Sequence, residues 1–370
     1  MGDGLQVGVS FDRQIRAIES VRRGRGDSIL PGFIDLQVNG GWGIDVMSAT
    51  AEDLVKLARR LAGEGVTGWL PTVITAPLEK IESCDTRIAA AMKAQRELRR
   101  ARRPGEAGAE ILGMHLEGPF ISAQRRGAHP PMTMAAQGEA VERVLRLKTL
   151  RLITLAPEVP GAVATIRRLR ARGIAVSLGH SDASYNEALA GVKAGARMFT
   201  HTFNAMRPLH HRDPGIAGAA LGPAAARAAF IPDGVHLHPS VYGFLYRARG
   251  PRGLVVTTDR IALSGANATA MLFGQPADGV TARDGAARLA DGTLAGSTIN
   301  MLDGLHFLSK VIGGAGFDQF AYATMAAASP AWVLGRKERG RIAPGARADL
   351  ILLGRRLELK AVFIGGCEVD

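Results

Sequence analysis

Only two cysteines, Cys84 and Cys367, occur in the 370 residues. That is too few for a disulfide framework, and their separation fits no zinc-binding spacing. No apolar run approaches the roughly 20 residues needed to cross a bilayer, so no membrane span is expected. The opening MGDGLQVGVSFDRQ has no apolar core behind a basic start. No secretory signal is therefore expected, and the cytoplasm is the expected location. Acidic residues are in the minority: 34 Asp and Glu face 46 Lys and Arg, a formal charge of +12. The densest basic stretch, RELRRARRPGEAG at residues 96–108, carries no aromatic residue between its arginines. That counts against a nucleic-acid surface, which interleaves stacking groups with charge. The charge excess reads first as solvated helix faces. Attraction of an anionic substrate into a positive cleft is the functional alternative.

What is present is rhythm. At 46% hydrophobic, the chain can bury a large core. Eight short apolar runs read as strands: GFIDLQVNG, VTGWLPTVIT, ILGMHLEG, LRLITLAPE, IAVSLGHSD, RMFTHTFNA, AAFIPDGVH and LVVTTDRI. Helical patterns such as AEDLVKLARRLAGEG, VATIRRLRARG and SYNEALAGVKAG lie between them. Strands alternating with helices predict a parallel α/β sheet, and eight units predict closure into a (β/α)8 TIM-like barrel. After the eighth strand, VTARDGAARLADGTLAGS reads as a hairpin insertion. The tail returns to short strands broken by Pro-Gly and Gly-Gly. The expected division is residues 1–30 and 336–370 forming a small β-sandwich domain, around a barrel at 31–335.

Polar residues punctuate the strand ends in barrel order. Gln37 and Asn39 close the first strand, Glu117 the third, His180 the fifth, His201 the sixth and Asp259 the eighth. The intervals from Asn39 are 78, 63, 21 and 58 residues. At about 30 residues per strand–helix unit, these are two, two, one and two units, so the residues converge on one face. One carboxylate and two imidazoles, Glu117, His180 and His201, form a plausible catalytic zinc set with an open fourth position. Neutral amides compete poorly for a transition metal, so Gln37 and Asn39 predict a single-metal site. Asp259 is the general-base candidate, able to accept a proton from activated water and return it to a leaving group. Arg212 and His236, in loops on the same face, suit an anionic ligand. His129, after the third strand, is placed to polarise a carbonyl. Ser297 in GSTINMLDGL reads as a helix N-cap.

Ten ordered blocks, including PGFIDLQVNGGWG, HLEGPFIS, GAHPP, GHSDAS, THTFNAM, DGVHLHP and LAGSTINM, resemble the N-acetylglucosamine-6-phosphate deacetylase family of amidohydrolases. The resemblance runs from about Leu30 to the C-terminus. It implies a barrel with a small β domain built from both chain ends, usually as a homodimer. It also implies one divalent metal ion per subunit, with zinc favoured over iron, manganese or cobalt, held by Glu117, His180 and His201. It makes Asp259 the acid/base and His129 the group that polarises the acetyl carbonyl. Asn204 and Ala205 would hold the phosphate through their backbone, and His236 the sugar. Arg212 would bind phosphate in the neighbouring subunit's site. The implied substrate is a small amino-sugar phosphate, N-acetylglucosamine 6-phosphate. N-acetylgalactosamine 6-phosphate, another N-acyl amine, and a non-catalytic sugar-phosphate binder are the alternatives. Three departures stand out. The segment before PGFIDL is short, the LHHRDPG loop differs around Arg212, and Arg260 replaces a commonly small residue. Arg260 either turns away or alters the charge of the cleft.

Overall fold

The computed structural model describes residues 7–20, 26–101, 103–222, 225–266, 271–313 and 316–369. Residues 1–6 and 21–25 of the expected N-terminal β segment lie outside them. The barrel strands are β1 (Phe33–Val38), β2 (Val66–Ile74), β3 (Met114–Glu117) and β4 (Leu150–Leu155). They continue with β5 (Ala175–Leu178), β6 (Met198–Phe199), β7 (Arg227–Phe230) and β8 (Leu254–Val256). Each pairs in parallel with its neighbour in chain order, from β1 through to β8. A parallel bridge between Val38 and Arg260 closes the ring. Every residue of β1 and β2 is buried, because the sheet is covered on both faces. That is why these strands read as continuous apolar runs and not as alternation.

Eight helices follow the eight strands: α1 (Ala51–Ala62), α2 (Leu78–Arg100), α3 (Gly138–Arg146) and α4 (Ala162–Ala171). The others are α5 (Tyr185–Ala194), α6 (Gly215–Leu221), α7 (Pro239–Arg249) and α8 (Met301–Val311). α1 begins where Thr50 and Asp53 form a reciprocal capping box, and it buries Leu54, Leu57, Ala58 and Leu61 along one face. No described helix is long and apolar enough to cross a membrane.

Inside the barrel the side chains form a polar layer above an apolar one. His115, fully buried on β3, contacts the Leu36 carbonyl at 2.9 Å and the Thr154 hydroxyl at 2.8 Å. Burial pulls its imidazole down to about 4, so it is neutral and structural. Asp35 on β1 accepts from the Thr257 hydroxyl at 2.8 Å and the Thr258 hydroxyl at 2.5 Å, tying the last strand to the first.

The chain ends meet outside the barrel. Ser28–Pro31 pairs antiparallel with Leu350–Leu353, which pairs with Leu359–Ile364 and so with Cys367–Val369. A second antiparallel pair, Val7–Phe11 with Ile15–Ser20, packs against this sheet. Ile15, Ala346, Ala348 and Leu350 form their shared core, and Phe11 meets Phe363 edge-on at 5.2 Å.

The stretch after β8 is larger than a hairpin. Thr281–Arg283, Ala286–Arg288 and Leu294–Ser297 make a three-stranded antiparallel sheet. Ser297 is therefore a buried strand residue whose hydroxyl donates to the Thr258 carbonyl, not an N-cap. The cap of α8 is Asn300, three residues on, paired with Asp303 in a capping box. Both residues can cap, and the strand claims the first.

Candidate active site

The carboxyl ends of the strands deliver the polar residues to one cavity of about 490 Å³. Glu117, the last residue of β3, lies at its centre. Glu117 Oε1 stands 3.1 Å from His180 Nε2 and 3.1 Å from His201 Nε2. The two imidazole nitrogens are themselves 3.1 Å apart. Each ring's other nitrogen faces a carbonyl: His180 Nδ1 meets Arg125 at 3.0 Å, and His201 Nδ1 meets Asn204 at 3.2 Å. Those Nδ1 atoms must carry hydrogen, so each Nε2 of a neutral ring presents a lone pair. Three acceptors so close repel one another unless a proton or a cation lies between them. Ligand atoms around a tetrahedral zinc ion stand about 3.3 Å apart, given bonds of about 2.0–2.1 Å. The triangle fits a divalent cation.

Burial disfavours the charge on Glu117. Hydrogen bonds from His129, His180 and His201 outweigh it and hold the carboxyl well below its ordinary range. His129 is a further neighbour, and Glu117, His129 and His180 also offer ligand atoms within 4.8 Å of one another. However, His129 Nε2 faces the other carboxylate oxygen, Oε2, at 3.6 Å. Its Nδ1 is engaged by the Thr75 hydroxyl at 2.9 Å. His129 thus flanks the triangle, with one nitrogen turned to the cavity.

The first strand supplies amides, and they brace carboxylates. Gln37 Nε2 donates to Glu117 Oε1 at 2.9 Å, and Asn39 Nδ2 donates to Asp259 Oδ1 at 2.7 Å. The amide oxygens, Gln37 Oε1 and Asn39 Oδ1, are buried without a partner among the described residues. Asp259 lies three residues beyond β8 and opens onto the cavity. Its depth below the surface, reinforced by the charge of Glu117, pushes its carboxyl up to about 8.

Backbone strain marks the same residues. His180, His201 and Asp259 have φ of 48°, 26° and 50°, in the left-handed region. Each such non-glycine residue costs on the order of 1–3 kcal/mol and persists where the surroundings over-determine it. Beside Asp259, the alternative left open for Arg260 is resolved. Its side chain turns away from the cavity, pairs with Glu64, bonds Ser264 at 2.6 Å and stacks on Trp42 at 4.2 Å.

Of the residues predicted to hold substrate, His129, Asn204, Ala205 and His236 line the cavity. His236 is oriented by Asp233, which meets its Nδ1 at 2.5 Å. The Asn204 N–H donates to the His201 carbonyl at 2.9 Å, within the turn. Arg212 is not among the cavity's lining residues; it is exposed and contacts His211 at 2.7 Å. Sequence reasoning missed Thr75, Arg125 and Arg288. Thr75 follows β2 directly, so the strand-end rule that found the others applied to it too. Arg288 comes from the three-stranded insertion, where no local pattern pointed inward.

Residues 28–369 match the model of the amidohydrolase family. The chain is 37% identical over 369 residues to human N-acetylglucosamine-6-phosphate deacetylase, covering 95% of this chain and 86% of that one. It is 35% identical to N-acetylgalactosamine-6-phosphate deacetylase of Escherichia coli O157:H7, covering 96% and 92%. An Asp-to-Ala mutant of the Mycobacterium smegmatis N-acetyl-D-glucosamine-6-phosphate deacetylase, solved in complex with N-acetyl-D-glucosamine 6-phosphate, superimposes with TM-score 0.83. It shares 30% identity and covers 97% of this chain and 93% of that one. With the family's match spanning barrel and β domain alike, the chain belongs to the amidohydrolase family, in the branch that holds the N-acetylglucosamine-6-phosphate deacetylases.

Proposed function

We propose that the protein removes the acetyl group of N-acetylglucosamine 6-phosphate, giving glucosamine 6-phosphate and acetate in amino-sugar catabolism. The observation that carries this is the convergence of Glu117 Oε1, His180 Nε2 and His201 Nε2 beside Asp259. We assign one divalent cation, zinc, to those three atoms; iron, manganese and cobalt suit the same donors. When bound, such an ion lowers the pKa of water and polarises a carbonyl oxygen.

The chain's own groups do the rest. Asp259 takes the proton of the attacking water and passes it to the departing amine. A carboxyl held near 8 is protonated at neutral pH, as an acid must be. A cation at Glu117 would lower that value and produce the base. Asn39 fixes the Oδ1 end of Asp259, leaving Oδ2 for the proton. His129, oriented by Thr75, directs Nε2 at the acetyl oxygen. Asn204, Ala205 and His236 position the phosphosugar, and Arg212 reaches the neighbouring cavity in a homodimer. In the division at 31–335, the barrel holds every one of these groups, and the enzyme works in the cytoplasm.

The test is acetate release from N-acetylglucosamine 6-phosphate and N-acetylgalactosamine 6-phosphate, side by side. The account expects higher kcat/KM on the gluco epimer. A reversed preference would overturn the substrate, and no release from either would overturn the reaction.

A further inference from the structure

A second cavity, of about 620 Å³, lies between the barrel and the small β domain. Helix α2 starts three residues after Thr75, which touches His129, and its 23 residues span about 34 Å. Arg99 and Arg100 end that helix, so the cavity sits at the opposite end of the barrel from the active site. It is lined by Arg13, Arg99, Arg100 and Arg347, together with Cys367 and Gly365. This places two arginines of the basic stretch at 96–108 in a concave site, and not on a solvated helix face.

The charge there is unbalanced. Glu110 and Asp349 are the carboxylates beneath the cavity. Arg339 reaches them at 2.6 and 2.5 Å, and Arg347 at 2.9 and 2.8 Å. Arg99 has Glu110 at 3.9 Å and donates to the Gly108 carbonyl at 2.9 Å. The side chains of Arg13 and Arg100 have no partner among the described residues. Five guanidiniums thus face two carboxylates, with Glu338 at the margin, 4.0 Å from Arg339. No lining residue is acidic and none is aromatic. Gly365, at φ +57°, makes room: a side chain there would meet the Arg347 guanidinium at 3.2 Å.

We propose that this cavity is a second anion site, which takes a phosphorylated small molecule between Arg13 and Arg100, with Arg99 and Arg347 behind. Planar guanidiniums bind phosphate oxygens in pairs, and the volume admits a metabolite and not merely an ion. The absence of an aromatic stacking platform disfavours single-stranded nucleic acid.

Cys367 provides the readout, since it is exposed in the cavity and Cys84 is buried. The full-length, metal-loaded protein would be treated with the dianionic thiol reagent 5,5′-dithiobis(2-nitrobenzoate). Fructose 1,6-bisphosphate would be added at constant ionic strength. The expected result is saturable protection of Cys367, slowing its labelling at least roughly fivefold. Protection should vanish in the Arg13→Ala/Arg100→Ala double variant, which should keep its melting midpoint because neither side chain has a partner to lose. No protection, protection without saturation, or equal protection in the variant would each overturn the site.

Discussion

Asp259 combines a left-handed backbone, a desolvated carboxyl and a hydrogen bond from Asn39, conditions that suit a proton carrier better than a strand cap. Asp259→Asn is expected to lower kcat by about 10²–10⁴-fold while leaving metal content intact. Near wild-type turnover with metal bound would remove the acid/base assignment. A pH argument belongs at the same scale. With its pKa raised to about 8, Asp259 holds a proton below that pH, and a bound cation favours the carboxylate. Loading the metal at pH 7 should therefore release protons, fewer of them in Asp259→Asn. Calorimetry in buffers of different ionisation enthalpy measures the number. Equal release in both proteins would contradict the raised value.

At the scale of elements, Gly296 packs closely against the segment that follows β8 and carries Asp259. It sits at φ +90°, and a Cβ there would lie 2.6 Å from the Asp259 carbonyl oxygen and 2.7 Å from Ile261 Cγ2. Gly296→Ala is expected to cost about 1–3 kcal/mol in chemical denaturation and to lower kcat, by displacing Asp259. A variant as stable and as active as wild type would show the insertion to be independent of the catalytic strand. The eight strands were legible in the sequence because double burial leaves continuous apolar runs. Their polar ends were legible because barrel topology gathers strand ends on one face. Ser297 was misread because strand and cap compete for the same residue type. Arg288 and Thr75 were missed for different reasons. Arg288 enters from a sheet whose placement depends on tertiary packing, and Thr75 acts through a histidine 54 residues away. The direction of Arg260 was likewise undecided until Glu64 and Trp42 were seen beside it.

Across the whole molecule, charge joins the barrel to the β strands of the chain ends. Glu110, on the barrel side, is held at about 2. Burial acts to raise it, but Arg339, Arg347 and Arg99 prevail. A depressed carboxyl contributes stability that is present above its ordinary value near 4.5 and lost as pH falls through about 2. Acid unfolding should track that window, and Glu110→Gln should flatten it while destabilising the protein by about 3 kcal/mol near neutrality. An unchanged acid-unfolding profile in the variant would show that the network does not fasten the two parts. The active-site cavity is lined by barrel strand ends, their loops and the three-stranded insertion, and by no described residue of the terminal β sheet.

The most direct measurement is acetate release from N-acetylglucosamine 6-phosphate by metal-stripped protein, titrated with zinc. Full activity at one equivalent per chain is the predicted result, because Glu117, His180 and His201 form one triangle and the end of the first strand brings only the amides of Gln37 and Asn39 beside it. A folded protein that stays inactive with every divalent metal, or one that needs two equivalents, would contradict the account.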